Sequence, residues 1–180
     1  MGKQFPTIDA NHREFIGRQR IFLAASAAPA LRVNVSPRGT DALAILDERT
    51  VAYLDKTGSG NENAAHLKAD GRLTLMFCAF EGPPNILRLD GRGEVLSRMN
   101  PEHGEILSSK FVDAEPPGAR QIIRLHVDLV QTSCGYRTPL FDCRGERPSL
   151  DNWARSKGED GLVAYPGRRT PSASTGCRLG

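Results

Sequence analysis

Seven short segments rich in branched or aromatic residues, separated by Gly, Pro, Asp or Asn, predict a mainly β domain for this 180-residue chain. Helical patterns are few, and the spacing between segments is mostly that of hairpins, which makes the pairing antiparallel. Six to seven such strands with little helix predict a small β-barrel.

A helix comes first. Asp9 stands where a cap belongs for residues 10–18, and Phe15 and Ile16 supply the apolar contacts. The strand-like segments follow at residues 21–27, 32–37, 41–47, 50–55, 72–80, 85–96 and 120–132. Asp47-Glu48-Arg49 links the third and fourth tightly, so these two pair as a hairpin. LTLMFCAF, at 73–80, is apolar on both faces, as a central or covered strand is. In the last segment Ile123, Leu125, Val127 and Leu129 alternate with Arg124, His126 and Asp128, which predicts one buried and one polar face. Gly91-Arg92-Gly93 reads as a bulge or bend. Two more helices are expected, over 61–68 after a Gly-rich turn and over 100–111, where Asn100-Pro101 gives a cap and a first turn. Beyond Pro139 the pattern is irregular, apart from a short helix around 150–157. Residues 1–167 read as one domain and 168–180 as a flexible basic tail.

Charge narrows the function. The formal net charge is +3, and Arg168, Arg169 and Arg178 in the acid-free tail account for all of it. The domain itself is neutral, so no nucleic-acid partner is expected. The longest apolar stretch, 21–31, falls short of the roughly 20 residues a membrane span needs. Cys78, Cys134, Cys143 and Cys177 form no Cys-x-x-Cys pair, and the N-terminus lacks the pattern of an export signal. A cytoplasmic protein with free thiols is expected. His12, His66, His103 and His126 are scattered without metal-ligand spacing.

The chemistry-bearing stretch is DKTGSGNENAAHLK, from Asp55 to Lys68. A strand ends at Asp55, Gly58 and Gly60 form a turn, and a helix starts at Asn61. Glycines let backbone N–H groups converge, and a helix start offers unpaired donors with a positive dipole end. Asn61 and Asn63 add amides; Thr57 and Ser59 add hydroxyls. Two readings stand on this local pattern: an ordinary strand-to-helix connection capped by Asn61, or a phosphate cradle. It is neither a Walker loop nor a Rossmann fingerprint, because the Gly-Lys-Ser/Thr run and the third glycine are absent. Ser36-Pro37-Arg38-Gly39 ends an earlier strand, where Arg38 can grip an anion with two donors.

The order of these pieces, from about Phe15 to Leu96, resembles the pyridoxamine-phosphate-oxidase-like FMN-binding family. The SPRG turn, AYLDKTGSGNENAAHL and LTLMFCAFEGPP are similar to one bacterial branch of it. Ser133-Cys134-Gly135-Tyr136 and Trp153 match that branch more loosely. The resemblance implies a split-barrel homodimer with FMN at the subunit interface. A small-molecule substrate, or an electron donor such as NAD(P)H, would complete the reaction. It places Ser36 and Arg38 at early FMN contacts, Tyr53 and Leu54 beneath the flavin, and the tract with Asp55, Thr57, Gly60, Asn61 and Asn63 at the phosphate. Where the oxidases carry Ser-Arg-Lys this chain has Asn61-Glu62-Asn63, so Arg38 or Arg88 must supply the cation. The oxidases' C-terminal arginine-histidine pair is also missing after Trp153, which argues against vitamin B6 oxidation. The expected function is an FMN-dependent oxidoreductase. A flavin- or haem-binding storage module and a deazaflavin-dependent reductase are the alternatives.

Overall fold

Residues 10–18 form helix α1 (Ala10–Arg18) in the computed structural model, which describes residues 2–58, 61–111 and 116–169. Its start is fixed locally. Asp9 Oδ1 accepts from the His12 amide at 2.8 Å, and His12 Nδ1 accepts in turn from the Asp9 amide at 3.2 Å. Gln19 is extended and ends the helix, while His12, Phe15 and Ile16 turn inward.

All the alternating segments enter one sheet. Its strands are β1 (Lys3–Phe5), β2 (Ile21–Ala27), β3 (Asn34–Gly39), β4 (Leu43–Ile45), β5 (Thr50–Lys56), β6 (Arg72–Cys78), β7 (Ile86–Ser97) and β8 (Ala119–Ser133). Every pairing is antiparallel, in the order β3-β2-β6-β7-β8-β5-β4. The sheet curls into a half-barrel, so the predicted split β-barrel is what this sequence forms. One strand exceeds the expected six to seven. β1 lies against Val130–Thr132 of β8, beyond the stretch of β8 that β5 occupies. The predicted strand over 41–47 shortens to β4, because residues 40–42 make a turn of 3-10 helix whose Thr40 hydroxyl donates to the Gln19 carbonyl at 2.7 Å.

Two cores result from the period-2 pattern. Inside the barrel, Phe22 is buried between Tyr53, at 5.5 Å edge-on, and Phe77, at 5.8 Å stacked. Leu75, Leu87, Leu89, Ile123 and Leu125 complete this layer. Each such side chain contributes about 1.5–3 kcal/mol relative to exposure. On the opposite face Leu54, Leu96 and Ile122 pack with Ile106 of α3 (Pro101–Lys110). Asn100 caps α3 by accepting from the Glu102 amide at 2.9 Å.

A bulge shifts the pattern in β8. Asp90 pairs with Leu129 and Gly91 with Val127, leaving Asp128 as the extra residue. The inward set is therefore Ile123, Leu125 and Val127 and then Val130. Leu129, predicted inward, is only half-buried because the bulge moves it out of phase. Gly91 is required here, since a Cβ would lie 2.0 Å from the His126 carbonyl oxygen.

Helix α2 (Glu62–Ala69) follows the Gly-rich turn, and Leu67 fills the space beside Gly93 on β7. Helix α4 (Ser149–Arg169) is longer than the predicted segment around 150–157 and changes direction at Gly158, where φ is 65° and ψ 172°. Residues 168–169, assigned to a flexible tail by the sequence, end this helix; residues 170–180, with Cys177, lie outside the described residues. Among the described residues no helix is long and apolar enough to cross a membrane. No three His, Cys, Asp or Glu side chains among them converge as metal ligands would.

Candidate functional site

Period 2 aims Asn34, Ser36 and Arg38 to one side of β3, while Tyr53 and Asp55 share a face of β5. The two strands bring these residues to the start of α2. There a cavity of about 220 Å³ is lined by Ser36, Arg38, Asp55, Lys56, Asn61 and Asn63, together with Glu62 and Leu150. The two motifs singled out in the sequence thus meet at one place.

Asp55 is the hub of the wall. One carboxylate oxygen takes Arg38 Nη2 at 2.8 Å; the other takes Arg120 Nη2 at 2.6 Å and Gln121 Nε2 at 2.7 Å. Asp55 is 3% exposed, so this is a largely desolvated ion pair with short, charge-assisted bonds. Gln121 sits opposite Asp55 in the β5–β8 register, which explains the contact. The Arg38 guanidinium lies 5.0 Å from the Tyr53 ring centroid, and Tyr53 is fully buried. Burial pushes the Tyr53 phenol well above its ordinary pKa, so it stays a neutral hydroxyl. Arg38 is therefore held by a carboxylate on one side and a ring on the other. Its Nε is buried and has no hydrogen-bond partner among the described residues.

The start of α2 differs from a simple capped helix. Asn61 makes no side-chain cap; its Oδ1 accepts from Gln121 Nε2 at 2.9 Å instead. The start of α2 therefore carries no side-chain cap from Asn61. Asn63 turns inward. Its Oδ1 accepts from Ser26 Oγ at 2.7 Å and Asn34 Nδ2 at 2.8 Å, and its Nδ2 donates to Tyr53 Oη at 3.3 Å. Asn63 consequently fixes α2 against β2, β3 and β5 rather than presenting a free amide. Ser26 also touches His66 Nδ1 at 3.0 Å, which extends the buried network into α2.

The remaining predicted positions fall elsewhere. Leu54 points to the α3 side of the sheet, and Thr57 is buried with its amide on the Gly118 carbonyl at 2.7 Å. Arg88 is on β7 and donates to Gln131 Oε1 at 2.7 Å, away from the lining of this cavity. Ser59 and Gly60 lie outside the described residues. Tyr136 is 81% exposed, and Trp153 packs edge-on against Tyr165 at 4.9 Å. His126 Nε2 lies 2.8 Å from Glu94 Oε1 on the outer face. Cys78, Cys134 and Cys143 are free thiols.

Sequence reasoning missed Ser26, Asn34, Lys56, Arg120 and Gln121. Period 2 counted back from Ser36 finds Asn34. Arg120 and Gln121 needed the strand pairing, which no local pattern gives. Lys56 pairs with Asp151 at 2.8 Å, tying α4 of the same chain beside the cavity. Formal charges on the lining cancel, Arg38 and Lys56 against Asp55 and Glu62. The described lining therefore presents no net positive field.

Fold and cleft together define a split-barrel protein with a polar cavity where β3, β5 and the start of α2 meet. The chain belongs to the pyridoxamine 5'-phosphate oxidase family, whose sequence model matches residues 8–134. A curated relative, the pyridoxamine 5'-phosphate oxidase family protein ustO of Aspergillus flavus, is 38% identical over 165 residues. The match covers 83% of this chain and 66% of the relative, so the chain spans just under two thirds of that protein's length. Among solved structures, a point variant of Group A Streptococcus HupZ aligns with a TM-score of 0.57 at 13% identity, covering 70% of this chain and 99% of that one. A Clostridium acetobutylicum protein related to general stress protein 26, of the pyridoxinephosphate oxidase family, gives 0.53 at 13% identity, covering 69% and 86%. At such identities these structures speak for the fold alone.

Proposed function

We propose that this chain is an FMN-binding flavoprotein, an FMN-dependent oxidoreductase working as a homodimer with the flavin at the subunit interface. The observation that carries this reading is the cavity between Arg38 and the first turn of α2, with Arg38 Nε buried and unpartnered among the described residues. A phosphate fits that donor set. Arg38 and the α2 amides hold it; Asp55 and Tyr53 orient Arg38, and Asn63 keeps α2 in place. The acidic Glu62 in the lining sets this site apart from a lysine- or arginine-rich one. Bound flavin itself supplies hydride or electron transfer, so the protein's part is position and electrostatics.

The test is the purified protein's absorption spectrum, with cofactor mass after denaturation and titration with FMN, the deazaflavin and haem. FMN at one per chain, reducible by dithionite or NAD(P)H, is the expected result. Arg38→Ala should weaken FMN by about tenfold or more, the scale of one charge-assisted contact. Colourless protein that takes up no FMN overturns the proposal, as does preferential uptake of haem or the deazaflavin.

A further inference from the structure

A larger cavity, about 560 Å³, lies between α4 and the adjoining ends of β5 and β8. Its size falls within the roughly 300–1,000 Å³ of small-molecule pockets. Arg98, Arg120 and Arg155 line it, against Glu159 as the carboxylate among the described lining residues. Pro116, Pro117, Ala154 and Leu162 supply an apolar remainder. Three arginines lining one cavity beside apolar surface suit a molecule with an oxyanion at one end and hydrocarbon at the other.

Gly158 builds the wall. Its φ of 65° and ψ of 172° belong to a region that is essentially glycine's alone. The break turns the chain so that Glu159, Leu162 and Val163 line the same cavity as Ala154 and Arg155 one turn earlier. Gly118, at φ 79°, keeps the opposite side open: a Cβ there would meet the Ala154 Cβ at 3.2 Å. Two glycines in conformations that disfavour other residues therefore shape one cavity from both sides.

We infer that this second cavity is a binding site for a small amphipathic anion, a carboxylate or a phosphate monoester. Its headgroup contacts Arg98, Arg120 and Arg155, and its hydrocarbon lies on the prolines, Ala154 and Leu162. The site is distinct from the flavin cavity and does not depend on it. Arg120 connects them, since it lines this cavity and also holds the Asp55 carboxylate that steadies Arg38.

Trp153, the chain's one tryptophan, precedes Ala154 and reports on the wall without a label. Octanoate and octyl phosphate are titrated into the purified protein by Trp153 emission and calorimetry, with octan-1-ol as the neutral control. At least one anion should bind saturably at one per chain, about tenfold or more tighter than octan-1-ol. The exposed double variant Arg98→Gln/Arg155→Gln should lose about tenfold in anion affinity with its circular dichroism and FMN uptake unchanged. Gly158→Ala should weaken binding through the wall alone, with all charges in place. The inference is overturned if neither anion saturates, if octan-1-ol binds as tightly, or if the double variant binds like the wild type. A failure of FMN to bind leaves this result readable, because the titration needs no flavin.

Discussion

Replacing Asp55 with Asn removes the charge that holds two guanidinium groups and leaves nearly the same shape. In the native protein the carboxylate is 3% exposed, and the Arg38 and Arg120 side chains are 22% and 18% exposed. An amide offers one acceptor in place of three short contacts, and its N–H groups face the same donors. Truncating one partner of a buried pair costs about 3–5 kcal/mol, because the opposite charge stays desolvated. Water reaching the two partly accessible guanidinium groups places this case at the lower end, about 3 kcal/mol. With a urea slope of about 2 kcal/mol per molar, the unfolding midpoint should fall by roughly 1.5 M. Trp153 emission and far-ultraviolet circular dichroism at neutral pH follow the transition. A midpoint change worth less than about 0.5 kcal/mol, the scale of an ordinary surface substitution, refutes the view that Asp55 is the buried hub of this site.

Two further perturbations follow from the geometry. Gly91→Ala drives a Cβ to within 2.0 Å of a backbone oxygen that has no room to move, so it should destabilise by about 3 kcal/mol or more. Gly104→Ala, in α3 with nothing within 4 Å, should instead stabilise by about 0.5–1 kcal/mol; chemical denaturation of both variants checks the pair. Partial burial pushes the Glu94 carboxyl upward, but hydrogen bonds from Arg124 and His126 outweigh it and hold the group below its ordinary value of 4.5. The unfolded chain thus takes up this proton first as pH falls. The stability Glu94 contributes is complete above about 4.5 and is lost as pH drops through the lower folded value. Glu94→Gln should flatten the slope of the urea midpoint between about pH 5 and pH 3, and an unchanged slope would contradict the assignment.

What could be read from the sequence was local. α1 and α3 fall where Asp9 and Asn100 place them, because a cap and its helix lie within a few residues of each other. The strands β2 to β8 are visible as apolar segments between Gly, Pro, Asp and Asn breaks, and the 47–49 link joins two of them, as the β4–β5 register has it. β1 is not, since Lys3-Gln4-Phe5 is too short to show a period and gains its partners only from the far end of β8. The second part of α4 was hidden by its own glycines and proline. At the site, the cavity's position was legible, because a strand end, a Gly-rich turn and a helix start are contiguous. The division of labour within it was not. Asp55 lies 17 residues from Arg38 and 65 from Arg120, and only the β5–β8 register shows that the acid serves the arginine. Asn63 looked like a ligand-facing amide for the same reason: its true partners, Ser26 and Asn34, are on strands far earlier in the chain.

β1 also bears on how the sheet is protected. β8 is long enough to take two neighbours along one side, β5 on residues 119–126 and β1 on residues 130–132. Without β1, the second stretch would show bare amides and carbonyls beside the apolar Val130, the kind of edge to which a foreign strand adds. β1 has to cross most of the sequence to reach it, so the contact carries the entropic cost of closing a long loop. Until that contact is made, this stretch of β8 is an adhesive margin. Three residues close it, and of these Phe5 also packs against the barrel core and edge-on against His12 at 4.7 Å.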